Sequence, residues 1–196
     1  MSETAETADK AVEAKERDRT VALIIAILAL MLALAEAGAK NAQHLSTEKN
    51  IEASDLFNFY QAKKIRSTVV ETASEMLEAQ KTGLADPKAQ ETVDKQIAAF
   101  KTTVANFDKD PKKPEDSLDA IQERANTATE TRELANHRLE HYELGSGLTQ
   151  IAIVLASASI ITGIAVLMWL SVGLGAIGAI LLAFGFFAPT VLGFIG

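Results

Sequence analysis

The chain has 196 residues, the size of one ordinary domain, and carries 26 acidic against 19 basic side chains for a net charge of −7. That acidity, with no Lys/Arg stripe interleaved with aromatics, argues against a nucleic-acid partner. There is no cysteine, which removes disulfides, thiolate metal sites and cysteine nucleophiles together.

The charge is partitioned along the chain. No Asp, Glu, Lys, Arg or His follows Glu143, which leaves 53 uncharged residues from 144 to 196. A soluble domain needs charge over its whole surface, whereas a segment embedded in hydrocarbon must exclude it. The C-terminal third therefore reads as membrane.

Residues 1–19 form a polar tail rich in Ala, Glu and Lys. Glu13 and Arg17 stand at i,i+4, so the tail is either a frayed helix or a solvated segment. Residues 20–39 are the first expected span. Its stretch 21–35 is fifteen consecutive apolar residues, and the following Glu36-Ala37-Gly38-Ala39 extends it to about the 20 residues that cross a bilayer. A signal peptide has a similar outline, but a cleavage site after Glu36 would be poor.

Residues 40–147 are read as an extramembrane helical hairpin. Helix formers dominate, and β-branched residues do not alternate. The stretch 41–81 reads as one helix with Leu56, Phe59, Ala62, Ile65, Val69, Ala73 and Met76 along its inward stripe. Thr82-Gly83 and Ala85-Asp86-Pro87 mark a stop and a restart, with Asp86 as cap and Pro87 at the first helical position. The next helix carries Val93, Ile97, Phe100, Val104 and Phe107 on one face. Residues 108–114, DKDPKKP, break it.

The helix after the breaker has a seam of Leu118, Ile121, Ala125, Ala128, Arg132, Ala135, Leu139 and Tyr142, alternating three and four. This coiled-coil-like seam is expected to pack on the 56–76 stripe, with Arg132 snorkelling or paired to an acid. Gly145-Ser146-Gly147 reads as a hinge into two further spans, 148–170 and 172–194. Trp169 stands at the expected turn, where an interfacial aromatic belongs. Ser159-xxx-Gly163 and Gly175-xxx-Ala179 are small-xxx-small pairs suited to helix packing. Gly173, Gly175, Gly178, Gly185 and Pro189 make the last span kinkable.

Two blocks carry a family resemblance. Residues 57–66, FNFYQAKKIR, follow the first span, and residues 141–157, HYELGSGLTQIAIVLAS, lead into the terminal hairpin. Over roughly residues 15–195 the chain resembles a bacterial family catalogued as domain of unknown function 4337. Members often have Trp where this chain has Phe57. The resemblance implies a three-span membrane protein with a helical insert, and brings no activity and no catalytic residue.

Three constellations invite a functional reading. His137-Arg138-Leu139-Glu140-His141 spells H-x-x-E-H, the inverted zinc-protease motif. Only Glu143 follows as a candidate third ligand, and the two histidines are expected on the solvent side of the heptad, so no metal, cofactor or catalytic site is assigned. Glu36 is the one charge within a span and is a functional candidate by default. It stands either at headgroup level or inside the bundle against Gln150 or Ser157. Tyr60, Gln61, Lys63, Lys64 and Arg66 form a polar-aromatic cluster that could meet a partner or anionic headgroups. The bland alternative packs Phe59 and Tyr60 in the hairpin and leaves the cations solvated.

The expected fold is all-α, with three transmembrane helices plus a long antiparallel helical hairpin. The expected function is a structural or interaction protein that forms a homo-oligomer in a bacterial inner membrane, with the bilayer as its partner and no enzyme activity. A channel, transporter subunit or proton-linked component using Glu36 is the alternative, and a metallohydrolase using His137, Glu140 and His141 ranks last. Near the spans, Lys10, Lys15, Arg17 and Arg19 balance Lys40, Lys49, Arg132 and Arg138. The orientation leans to a cytoplasmic N-terminus because the tail cations crowd closer to their span.

Overall fold

A computed structural model describes residues 2–109 and 111–190, without the side chains of residues 2–11, 13 and 14. The Glu13–Arg17 pairing, Asp110 of the breaker and positions 191–194 of the expected last span lie outside the described residues. Among those described the fold is all-α: α1 (Ser2–Lys81), α2 (Pro87–Asp108), a short 3-10 turn (Pro114–Asp116), α3 (Leu118–Thr162) and α4 (Ala165–Phe187). Three of these helices, α1, α3 and α4, are long and apolar enough to cross a membrane.

The chain divides into two compact units. The first joins Met1–Ser46 to Glu133–Gly196, and the second is Thr47–Arg132. α1 runs uninterrupted because its 80 residues contain no proline and one glycine, Gly38.

In the first unit α1, α3 and α4 form a three-helix bundle. α3 runs antiparallel to α1: Arg17 donates to the Gly163 carbonyl at 3.3 Å, and Ser46 Oγ donates to Asn136 Oδ1 at 2.5 Å. α4 returns along α3, where Ser171 Oγ donates to the Ala152 carbonyl at 2.7 Å. α1 buries Val21, Leu28, Ala35 and Ala42, at intervals of seven residues that keep one face inward. Much of the remaining interior is small, with Ala152, Ala156 and Ser159 on α3 and Ser171, Gly175, Gly178 and Gly185 on α4, while His141 and Thr149 are larger buried groups of α3. Large apolar side chains point outward, with Leu30 64%, Val154 66% and Phe187 81% exposed. Lipid makes that arrangement cheap, since hydrocarbon gives bulky residues no reason to hide and small ones let backbones approach.

Two expectations about this unit are corrected. The chain turns at Gly163-Ile164, not near position 171. Gly163 adopts φ +73°, the left-handed conformation that glycine tolerates, and its N–H bonds the Ser159 carbonyl at 3.0 Å to close α3. Trp169 consequently lies inside α4, 69% exposed. There is also no hinge at residues 145–147, where α3 continues unbroken. Gly145 is needed for close packing: a Cβ there would meet Leu182 Cγ at 3.1 Å and the Gly178 carbonyl at 3.2 Å.

In the second unit α2 and the start of α3 both pack on α1. α1 ends where Gly83 and Leu84 bond back to Gln80 and Lys81. Asp86 caps α2 by accepting from the Lys88 N–H at 3.0 Å, with Pro87 opening the helix as the sequence suggests. α2 turns its expected face inward, with Ile97 buried and Val93, Phe100, Val104 and Phe107 half-buried. Ser117 Oγ accepts from the Ala120 N–H at 3.3 Å to start α3. The seam residues Leu118, Ile121, Ala125 and Ala128 are buried, and Ile121 and Ala125 form a core with Leu56, against which Tyr60 packs.

The α1 stripe is the main correction here. Of Leu56, Phe59, Ala62, Ile65, Val69, Ala73 and Met76, only Leu56 is fully buried. The inward face instead carries Ala53, Leu56, Tyr60, Lys63, Ser67 and Ser74. Ile65, Val69 and Met76 stand on the opposite side, 57%, 63% and 59% exposed. The physical reason is that both faces repeat every seven residues, Tyr60-Ser67-Ser74 on one and Ala62-Val69-Met76 on the other. Neighbouring helices settle on the face whose small side chains allow close approach and whose lysines reach partners.

Candidate functional site

Within the second unit the 60–66 cluster divides. Tyr60 packs inward on Leu56, Ile121 and Ala125. Lys63 is half-buried: its Nζ donates to the Asp116 carbonyl and lies 5.9 Å from the centre of the Phe107 ring. One lysine thereby ties α1 to the end of α2 and to the turn before α3. Gln61, Lys64 and Arg66 face solvent, as does Phe59 at 46% exposure. The bland reading thus holds for Tyr60 and fails for Phe59 and Lys63. Further along the hairpin, Lys101 pairs with Glu78 at 2.7 Å and Lys81 with Asp94 at 2.5 Å. On α1, a hydrogen bond from Lys49 to Glu52, helped by that carboxylate's charge, raises the lysine above its ordinary value.

In the first unit Glu36 is exposed, one position past the fully buried Ala35. It does not meet Gln150, which is itself exposed, or Ser157, whose hydroxyl bonds the Ile153 carbonyl at 2.9 Å. The interior alternative for Glu36 is therefore corrected to a surface position.

The histidine pair is separated in environment. His137 is half-buried, with Nδ1 3.7 Å from Glu140. His141 is fully buried, which overturns its expected solvent-side position. Its ring lies 6.5 Å from that of Phe184, Gly185 sits against its Cβ, and neither ring nitrogen has a hydrogen-bond partner among the described residues. A single three-four seam is the face a helix shows to one neighbour. Here α3 has two, α1 and α4, and the buried arc widens until it includes position 141.

Sequence reading also missed an open groove in this unit. It has a volume of about 800 Å³ and lies between α1, α3 and α4. Met31, Leu34 and Leu182 line its apolar length, and Arg138, Tyr142 and Asn41 its polar end, where Gly38 and Phe186 also stand. Gly38 is required at this place, because a Cβ would stand 3.0 Å from the Tyr142 ring. The available signal was the lone glycine in an otherwise glycine-free helix, together with the arginine one turn before Tyr142.

The family model described as "Domain of unknown function (DUF4337)" matches residues 17–188. No curated protein and no solved structure matches the chain.

Proposed function

The chain belongs to this family of unknown function, and we propose that it is an integral membrane protein that self-assembles, anchored by its three spans and associating through its helical hairpin. The observation that carries the reading is the outward stripe on α1 of the second unit. Ile51, Ile65, Val69 and Met76 are each more than half exposed and share one side of the helix. This hairpin lies outside the apolar segments, and the exposed Phe57 and Phe59 add to its apolar surface. Contiguous apolar patches on a water-facing surface mark contact sites, and burying a Val, Ile or Met side chain contributes roughly 1.5–3 kcal/mol.

A second copy of the chain is the proposed cover. Spans confine all copies to one plane, which aligns their hairpins, and closed rotational symmetry is the default for identical chains. Small residues in the spans support close helix contacts in the bilayer as well. The proposed location is a bacterial inner membrane with the N-terminus cytoplasmic. No chemical step is part of this reading. The test is the mass of the protein–detergent complex, corrected for bound detergent, at micromolar concentration. A multiple of the chain mass is expected in several mild detergents, and a clean monomer in all of them contradicts the proposal.

A further inference from the structure

The groove in the first unit has two unlike ends, and the difference identifies an occupant. Its volume, about 800 Å³, falls within the ~300–1,000 Å³ of small-molecule clefts. Along Met31, Leu34 and Leu182 it offers only hydrocarbon, on helices whose outer surfaces are equally apolar. Leu182 belongs to a helix with no charged residue and packs beside Gly145, inside the uncharged stretch, so this length of the groove lies in the apolar belt.

The other end is cationic. Arg138 precedes Glu143, the last charge before the uncharged stretch, and so stands on the polar side of the belt's edge. Its Nε is enclosed and has no hydrogen-bond partner among the described residues. Glu140, two residues on, does not share its side of the helix and lies 3.7 Å from His137 Nδ1. The Arg138 side chain is half-buried, and a guanidinium partly withdrawn from water gains from an anionic partner. Its planar fork suits a phosphate, which it binds in a bidentate manner. Tyr142 and Asn41, beside it in the lining, can add hydroxyl and amide donors.

We propose that this groove holds one anionic phospholipid per chain, with an acyl chain along Met31, Leu34 and Leu182 and its phosphate on Arg138. The charge complementarity selects the headgroup, and the apolar length selects a bilayer lipid over a soluble phosphate. A zwitterionic lipid would fill the same groove but bring a cationic group towards Arg138.

The test uses the full chain, stripped of lipid by detergent exchange and given equal dioleoylphosphatidylglycerol and dioleoylphosphatidylcholine in mixed micelles. Native mass spectrometry then counts retained lipids. One phosphatidylglycerol per chain is expected, preferred about tenfold, the size of one charge-assisted hydrogen bond. Millimolar inorganic phosphate should not displace it. Arg138→Gln should bring the two lipids to parity, Arg138→Lys should restore part of the preference, and Ala37→Phe, which fills the groove from its open side, should lose both lipids. Circular dichroism checks that each variant is folded, and the wild-type competition stands without them. Equal retention of the two lipids by the wild type overturns the proposal. So does an undiminished preference in folded Arg138→Gln, displacement by inorganic phosphate, or lipid loss on self-association, which would put a second copy in the groove.

Discussion

The two units solve the same packing problem in opposite solvents. In the span-bearing unit most buried positions are small, with Ala35, Ala152, Ser171 and Gly178 inside and most leucines, isoleucines and phenylalanines outside, Leu28 and His141 being large exceptions. In the hairpin unit α1 also puts small or polar residues inward, Ser67 and Ser74 among them, and leaves Ile65, Val69 and Met76 outside. The second pattern looks like the first, yet its consequences differ. Lipid meets bulky apolar side chains at no cost, so the span-bearing unit is satisfied by a bilayer alone. Water does not, so the exposed stripe of the hairpin unit is what the proposed self-assembly would cover. The comparison teaches that an inside-out helix is a finished structure in a membrane and an unfinished one outside it.

The largest effect should come from breaking the close approach in the span-bearing unit. A Cβ on Gly178 would stand 2.8 Å from Thr149 Oγ1 and 3.1 Å from the Gly145 carbonyl, against backbone that cannot yield. Gly178→Leu should therefore cost about 3 kcal/mol, at the upper end for overpacking. Gly173, on the same helix, meets nothing within 4 Å. Gly173→Leu should leave the thermal midpoint in detergent unchanged or raised. Equal losses from the two substitutions would remove the argument for small-residue packing.

A smaller effect of opposite sign is expected at His141. Its imidazole is wholly enclosed without hydrogen-bond partners among the described residues. Replacing such a group with an apolar one of similar size recovers its desolvation cost, so His141→Leu should gain about 1 kcal/mol. A marked loss in the same melting experiment would reveal a polar role for the ring.

Smallest of all is the half-exposed Lys49–Glu52 pair, 2.6 Å apart on α1. Its folded-state value is raised, so its contribution is complete below the ordinary lysine range and is lost as pH climbs through the raised value. Lys49→Met should shift the midpoint barely at neutral pH, as expected for a surface pair, and not at all above that range. A difference between variant and wild type that grows with pH would contradict the assignment.

Much of this fold was legible. The charge-free stretch after Glu143 gave the apolar helices, and Asp86-Pro87 gave the start of α2, because capping and charge exclusion are local rules. The seam of Leu118, Ile121, Ala125 and Ala128 was legible for the same reason, since its one apolar face had no rival. α1 offered two faces with the same seven-residue period, and hydropathy favoured the wrong one. Its choice is made by neighbouring helices that periodicity does not see. The turn at Gly163 was hidden because a glycine among many apolar residues is marked only by its backbone angle. Of the candidate site, Tyr60 and Lys63 were named but their direction was not. His141 and Arg138 were seen as parts of a motif rather than as neighbours of α4 and α1, since both placements depend on a third helix.

The claim that the outward stripe is an assembly surface is tested most directly by charging it. Ile65→Lys with Val69→Lys adds two cations at positions more than half exposed in the single chain, so the fold should keep its helix content. Each side chain withdrawn from a contact forfeits roughly 1.5–3 kcal/mol, enough to weaken association at least about a hundredfold. The detergent-corrected masses of wild type and double variant should be measured together at one micromolar-range concentration. The account predicts a multiple of the chain mass for the wild type and a single chain for the variant. A wild type already monomeric, or a folded variant that keeps the wild-type mass, would contradict it.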